Sequence, residues 1–264
     1  YQAEQDVWSL LQAVVRTDQG AVLAIDPSSA TTGGSILGDK TRMPRLATDP
    51  RAFVRPSPAA DHLGGVARKT REAMLLCEAF GFDVVFVETI GVGQSEVEVA
   101  SMVDTFLLLA LPGAGDELQG IKRGIMEAVD LVAVNKADGD NLPRARIAAR
   151  DLSAALRFVR PRFASFRQRA LMVSSTEGTG ITELWAALVE HRRAIEQSGE
   201  LAALRRGQMK RWFWSEIDEH LKRALVARAD VASLASSLEA EVAEGRVGAG
   251  SAARRVVELF RGAS

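Results

Sequence analysis

The 264-residue chain contains few cysteines and histidines, and this scarcity excludes several classes of protein. Its single cysteine, Cys77, rules out an intramolecular disulfide framework and predicts a reducing, cytoplasmic compartment. The three histidines lie far apart and show none of the ligand spacings of a zinc site. Cys77 falls within a helical pattern, so we expect its side chain to lie in the core.

Long apolar runs and an excess of one charge are also missing. No apolar stretch reaches the roughly 18 residues that a membrane-spanning helix needs, and no signal-peptide pattern is present. The net charge is −1 at pH 7, so no global basic field attracts nucleic acid or anionic lipid. With 47% apolar and 25% charged residues, the composition predicts a globular, soluble protein that binds neither nucleic acid nor membrane.

Short apolar runs alternate with helical patterns over the first 180 residues. Strands are predicted at 21–25, 53–58, 83–88, 105–111, 130–134 and 170–173. The first, third and fourth of these runs are predicted to be buried on both faces, as in a parallel sheet. The alternation indicates an α/β fold, a doubly wound and mostly parallel sheet with right-handed crossovers.

Beyond residue 181 the strand patterns stop, and the sequence predicts only helices. A helix over 181–195 is followed by a longer one over 201–229 that carries Trp212, Phe213 and Trp214. Clustered aromatic side chains need a surface to bury them, either the sheet domain or, as favoured here, a second subunit. We therefore expect an α/β domain over residues 1–195 and a C-terminal helical dimerisation extension over 196–264.

Two of the predicted strands end on carboxylates, which indicates a metal and phosphate site. Asp26 ends the first strand, and Glu88 ends a later one, just before a loop that contains Gly91. Open α/β sheets bind ligands at the carboxyl ends of their strands. A carboxylate followed by glycine amides suits a hydrated Mg²⁺ beside a phosphate, although a structural strand with a polar end is the alternative. Asp39 lies in a long loop rich in Gly, Ser and Thr, of the kind that is functional or disordered in compact domains, and the alternative is that Asp39 caps a helix.

The motif Asn135-Lys-Ala-Asp138, which follows a predicted strand, is the most specific signal in the chain. The carboxylate of Asp138 can accept hydrogen bonds from N1 and the 2-amino group of guanine, a pair of donors that adenine lacks. The amide of Asn135 can reach the far edge of the base, and the lysine stem can lie along its face. Ser174 and Ser175 end the next strand and can add backbone N–H donors for the guanine carbonyl.

Five segments of the chain carry a family pattern. They are Ile25-Asp-Pro-Ser-Ser29, Gly33-Gly-Ser-Ile-Leu-Gly-Asp-Lys-Thr-Arg-Met43, Val87-Glu-Thr-Ile-Gly-Val-Gly-Gln-Ser-Glu96, Leu111-Pro-Gly-Ala-Gly-Asp-Glu-Leu-Gln-Gly120 and Asn135-Lys-Ala-Asp138. Together they resemble the MeaB/ArgK family of P-loop GTPases, over about residues 20–262. The resemblance implies GTP as substrate, GDP as product and Mg²⁺ as cofactor. It also implies a homodimer formed through the C-terminal helices, and a chaperone for adenosylcobalamin-dependent methylmalonyl-CoA mutase that protects the mutase and gates cofactor loading.

Matched position by position, the resemblance implies a role for individual residues. The metal-site carboxylates are Asp26, Asp39 and Glu88, and the catalytic residues are Glu88, Gly91 and Gln94. The guanine-binding residues are Asn135, Lys136, Asp138, Ser174, Ser175 and Thr176. The loops over 39–42 and 91–96 correspond to nucleotide-sensing switches, and the loop over 113–122 to a third segment that communicates with the mutase.

One motif of the family is not found in the 264 residues. P-loop NTPases carry Gly-x-x-x-x-Gly-Lys-[Ser/Thr] between the first strand and the first helix, whereas this chain offers no glycine before Gly20. We expect the first strand and the P-loop to be missing through truncation, omission of residues or true loss, and phosphate binding by this polypeptide alone to be severely weakened. Two other functions therefore stay open. One is a non-catalytic partner-binding or dimerisation module, and the other is a nickel-centre maturation GTPase, which the scarcity of Cys and His disfavours.

Overall fold

A computed structural model describes residues 20–26, 48–58, 63–89, 95–112 and 123–262, and every structural statement below concerns these ranges. The chain divides into two compact units after Leu204. Asp39, Gly91 and Gln94, together with the loops over 39–42, 91–94 and 113–122, lie outside the described residues.

The first unit alternates strands and helices in the order that the sequence predicts. Its elements are β1 (Gly20–Asp26), β2 (Ala52–Pro58), α1 (Leu63–Ala79), β3 (Val84–Thr89), α2 (Ser95–Ala100), β4 (Leu107–Ala110), α3 (Arg123–Ala128), β5 (Leu131–Val134), a 3₁₀ turn (Gly139–Asn141), α4 (Leu142–Leu156), β6 (Arg169–Met172) and α5 (Ile181–Gln197). Cys77 lies in α1 and is 4% exposed, which confirms its predicted place in the core, and burial raises the pKa of its thiol.

The described strands pair in two parallel sets of three, in the orders β2-β1-β3 and β4-β5-β6. The described core of β1, residues 20–23, and all four residues of β5 are buried, because each of these strands lies in the middle of its set. The prediction that β3 and β4 are buried on both faces is wrong for the described residues. Both strands are half-buried along their length, since each pairs with only one described neighbour.

β4 is also shorter than the predicted strand over 105–111, and hydrogen bonds at its start explain why. The Phe106 amide donates to the side chain of Asp130 at 2.8 Å, so it takes no part in the β ladder. The Thr105 hydroxyl lies 2.9 Å from Nδ1 of His191, on α5. At the other end Pro112 has no N–H to donate, which limits the strand at Ala110.

Side chains of β5 pack against helices on both faces, which confirms a doubly wound arrangement. Val132 and Val134 belong to a core cluster that includes Leu152 of α4. Between them, Ala133 points to the opposite face and clusters with Leu184 of α5. Each apolar side chain of this size contributes about 1.5–3 kcal/mol when it is fully buried, so the two clusters hold α4 and α5 firmly against the sheet.

The second unit is helical, as the sequence predicts. Its helices are α6 (Glu200–Ala227), whose first five residues belong to the first unit, α7 (Ala229–Ala243) and α8 (Ala249–Phe260). α7 and α8 enclose a small core around Val231, Leu238 and Val256. Among the described helices, none combines the length and apolar character needed to cross a bilayer.

The carboxylate of Glu200 fixes the beginning of α6. It accepts hydrogen bonds from the amides of Ala164 at 2.7 Å and Ser165 at 3.2 Å, and from the hydroxyls of Ser165 and Ser198. These donors, with the Ser165 hydroxyl first, lower the pKa of Glu200 from 4.5 to about 2. The negative charge at this first helical position also suits the helix dipole.

We predict that Glu200→Gln lowers the free energy of unfolding at pH 7 by about 1 kcal/mol, a small value because solvent screens this exposed site. Because the folded-state pKa of Glu200 is lowered, its contribution is fully present above pH 4.5 and is lost as the pH falls towards 2. Urea unfolding at pH 7 and pH 3 measures the effect, and the gap between wild type and variant should narrow at pH 3. Glu239→Gln, at an exposed position of α7, is the control. A gap that stays constant with pH would contradict the assignment.

Candidate guanine-nucleotide site

The segment that follows β5 makes a tight turn at Lys136. The Asn135 amide donates to the Ala110 carbonyl at 2.8 Å, which continues the pairing of β5 with β4. Lys136 then has φ +59°, the one positive value at a non-glycine residue of the described ranges. Such a conformation is sparsely populated and costs on the order of 1 kcal/mol. The turn points the Ala137 amide at the Val173 carbonyl, 3.0 Å away at the end of β6.

Asp138 occupies an extended conformation just before the 3₁₀ turn, and its side chain makes no capping hydrogen bond there. The Asp138 carboxylate instead accepts a hydrogen bond from the hydroxyl of Ser174. Ser174 is fully buried, and its hydroxyl oxygen also accepts from the Glu177 amide at 3.0 Å. A buried hydroxyl with two partners has one favoured orientation, so Ser174 fixes the rotamer of Asp138.

A second pair of hydrogen bonds joins the same two segments. The Ser175 amide donates to the side-chain oxygen of Asn135 at 3.2 Å, and the Asn135 amide group donates to the Ser175 hydroxyl at 3.1 Å. Asn135 is 2% exposed, while Thr176 follows with an exposed side chain. The structure therefore brings together the Asn135–Asp138 segment and the loop after β6, the two segments whose association the sequence predicts.

The loop from Ser174 to Gly180 is closed by its own backbone. The Ser174 amide donates to the Thr179 carbonyl and the Gly178 amide donates to the Ser174 carbonyl, both at 2.8 Å. Gly178 and Gly180 have φ values of +75° and +76°, which favour glycine. The Gly180 carbonyl then accepts the first hydrogen bond of α5, from Leu184 at 3.0 Å. A loop closed in this way holds its amides in place before any ligand arrives.

Two residues of the expected metal site, Asp26 and Glu88, lie on the adjacent strands β1 and β3. Ala24 is in register with Glu88, so Asp26 lies two residues further along the adjacent parallel strand. Two carboxylates at neighbouring strand ends have the oxygen donors that suit a hydrated Mg²⁺. In the described ranges, no group of three or more His, Cys, Asp or Glu side chains gathers into a metal site. Asp39, the third expected ligand, lies outside them.

Several parts of this arrangement are backbone groups that the sequence does not indicate. The Ala137 amide and the Val173 carbonyl tie the two segments together, and the Glu177 amide holds the Ser174 hydroxyl within its own loop. Any residue type other than proline can supply such amides. Gly180 is the exception, because a Gly-x-Gly pattern after a strand is visible in the sequence as a sign of close backbone approach.

A family model and individual relatives that match this chain point to the same family of proteins. The model of the family described as "Methylmalonyl Co-A mutase-associated GTPase MeaB" matches residues 9–230. A probable GTPase of Mycobacterium tuberculosis is 49% identical over 249 residues, which cover 94% of this chain and 74% of the relative. The mitochondrial methylmalonic aciduria type A homolog of Mus musculus is 45% identical over 248 residues, which cover 93% of this chain and 60% of that protein.

Among solved structures, the crystal structure of an LAO/AO transport system kinase superposes with a TM-score of 0.69 and 33% sequence identity. The superposition covers 98% of this chain and 77% of the kinase chain. The agreement in both fold and sequence means that the α/β unit and the helices after it have counterparts in one experimentally determined chain.

We predict that Ser174→Ala weakens GDP binding by the protein expressed from its complete gene about tenfold, because the carboxylate of Asp138 loses the donor that orients it. Titration calorimetry with GDP measures the change. Ser101→Ala is the matched control, since Ser101 also donates from its hydroxyl, to the Glu98 carbonyl at 2.7 Å on α2. Equal GDP affinity in wild type and Ser174→Ala would show that Asp138 does not need this hydroxyl.

Proposed function

The chain belongs to the family of methylmalonyl-CoA mutase-associated GTPases, and from that premise we propose that the protein expressed from its complete gene binds GTP, hydrolyses it to GDP and phosphate, and acts as a chaperone of an adenosylcobalamin-dependent methylmalonyl-CoA mutase. In this proposal the protein protects the mutase, and the binding and hydrolysis of GTP gate the loading of the mutase with its cofactor. The observation that supports it most is the pair of interlocked segments around Asp138 and Ser174.

Guanine recognition is the first part of the proposal. Asp138 accepts hydrogen bonds from N1 and the 2-amino group of guanine, since a carboxylate offers about four lone pairs and Ser174 uses one of them. Asn135 is held by Ser175 at the other side of the turn. The stem of Lys136 covers the face of the base, and amides of the loop over 174–176 meet the guanine carbonyl.

Mg²⁺ is the second part. Asp26 and Glu88 would hold it directly or through water, as their neighbouring positions on β1 and β3 allow, together with Asp39. When bound, the metal neutralises charge on the β- and γ-phosphates of GTP. Gly91 and Gln94 are proposed as the residues beside the γ-phosphate, with Gly91 donating its amide.

The third part is a homodimer through the C-terminal extension, residues 196–264. Met209, Phe213, Trp214 and Leu221, all on α6, are each more than half exposed. Large apolar side chains concentrated on one helix are typical of a surface that a partner covers. The rings of Phe213 and Trp214 also contact each other edge to face, with centroids 5.7 Å apart, so they form one apolar feature.

The test of the nucleotide function is a steady-state hydrolysis assay on the protein expressed from its complete gene. We predict that Asp138→Asn reduces the preference for GTP over ATP by at least tenfold, because an amide replaces one acceptor with a donor that faces the donors of guanine. Released phosphate is measured with each nucleotide across a concentration series.

Asp140→Asn is the matched control, since Asp140 is an exposed acid two residues away in the 3₁₀ turn. Hydrolysis of GTP and ATP at equal efficiency by the wild type would refute guanine recognition. Tight binding of GDP without any turnover would instead favour a non-catalytic partner-binding module.

For the dimer, we predict that Trp214→Glu converts the wild-type dimer to a monomer, because burying a charge in an apolar interface is costly. Size-exclusion chromatography with light scattering gives the mass in solution. Lys222→Glu, an exposed polar position on the same helix, is the control and should remain dimeric. A wild type that is monomeric at micromolar concentration would remove this part of the proposal.

A further inference from the structure

Gly180 approaches the end of β6 more closely than any other residue type can. A Cβ atom built on Gly180 would lie 2.2 Å from the Met172 carbonyl oxygen, 3.2 Å from the Met172 carbonyl carbon and 3.3 Å from the Val173 Cα. All three atoms belong to the backbone, so no side-chain rotation relieves the clash. The backbone at Gly180 also has φ +76°, which side chains other than glycine rarely adopt.

A larger side chain at position 180 would displace the backbone of Met172 and Val173. Val173 is hydrogen-bonded to the Asn135–Asp138 segment. The Val173 amide donates to the Val134 carbonyl at 2.9 Å, and the Val173 carbonyl accepts from the Ala137 amide at 3.0 Å. Val173 is fully buried and packs in a core cluster with Ala133, Ile181 and Leu184, so a shift of its backbone meets other protein atoms. A displacement of Val173 therefore passes to Ala137, which directly precedes Asp138.

The same displacement reaches Asp138 by a second route. Ser174 follows Val173 and donates its hydroxyl to the Asp138 carboxylate. The Ser174 amide in turn donates to the carbonyl of Thr179, the residue before Gly180. Gly180 thus ends a loop that contacts the Asn135–Asp138 segment through the side chain of Ser174 and through Ser175, next to the backbone contact at Val173.

We propose that Gly180 is a positioning residue for base recognition, which sets the place of the Asp138 carboxylate through Val173 and Ser174. It touches no part of the nucleotide itself. This inference rests on the proposed guanine-nucleotide function and adds to it a residue whose identity decides how well the 2-amino group of guanine is distinguished. Its effect on Asp138 depends on the absence of a Cβ atom, not on φ alone.

Gly178 provides the internal comparison that separates these two causes. It lies in the same loop and has nearly the same φ, +75°, but a Cβ atom built there would meet nothing within 4 Å. An alanine at position 178 therefore carries the strain of a positive φ without the collision. An alanine at position 180 carries both.

The experiment compares Gly180→Ala with Gly178→Ala in the protein expressed from its complete gene. Dissociation constants for GDP and for inosine diphosphate, which lacks the 2-amino group, are measured by titration calorimetry. Thermal unfolding without nucleotide is recorded for each variant. We expect Gly180→Ala to weaken GDP binding about tenfold and inosine diphosphate binding much less, so that the preference for GDP falls towards one. Gly178→Ala should keep the wild-type preference.

A general loss of stability would lower the affinity for GDP and for inosine diphosphate by the same factor. If Gly180→Ala keeps the wild-type preference for GDP over inosine diphosphate, the inference is therefore overturned. Failure of the wild type to prefer GDP would instead refute the proposed function. If Gly180→Ala does not fold, hydrogen exchange in the wild type provides the second measurement. The amides of Ala137 and Ser174 should then become protected together as GDP is added, and a response of Ser174 without Ala137 would overturn the inference.

Discussion

The hydrogen bond from the Ala137 amide to the Val173 carbonyl, 3.0 Å long, is the interaction on which the candidate site depends. It continues the hydrogen bonding between β5 and β6 just beyond the ends of the two strands, and so joins the segment that follows β5 to the loop that follows β6. Val173 also donates to Val134, so one buried residue holds both the strand and the turn that leaves it. The positive φ of Lys136 is tolerated because these bonds fix the chain on either side.

A buried polar cluster secures the opposite end of the same strands. The Asp130 carboxylate, just before β5, accepts from the Phe106 amide at 2.8 Å and from Arg162 at 3.2 Å. Arg162 also donates to the carbonyls of Ala100 and Val103, so its charge is shared by several acceptors. His191 of α5 completes the cluster, with Nε2 3.7 Å from Asp130 and its ring edge-on to Phe166. A buried carboxylate is stable only with such partners, so β4, β5 and α5 are held in a single arrangement.

Which features of the structure can be predicted from the sequence depends on how far apart in sequence the interacting residues lie. The helices and strands follow from local periodicity, and the segment 135–138 with Ser174 and Ser175 follows from the rule that parallel strands end at one edge. The half-burial of β3 and β4 does not follow, because it depends on which strands lie beside them. The shortening of β4 depends on Asp130, which is 24 residues from Phe106 in sequence. Gly180 is visible as a glycine, but the carbonyl that it approaches is known only from the folded chain.

The arrangement around Asp138 has a consequence for binding energetics. Asn135 and Asp138 already have protein partners without a nucleotide, so a guanine base would not have to order either side chain. Preorganisation of this kind raises affinity by removing an entropic cost of roughly 0.5–1.5 kcal/mol for each side chain. It also makes selectivity sensitive to small displacements, because a carboxylate held by Ser174 cannot turn to follow a misplaced base. Because the two carboxylate oxygens of Asp138 are fixed in place, the site favours guanine over other bases but does not adjust to a shifted one. A Cβ atom at position 180 would displace the backbone that positions Asp138, so we expect it to change base selectivity although Gly180 contacts no ligand.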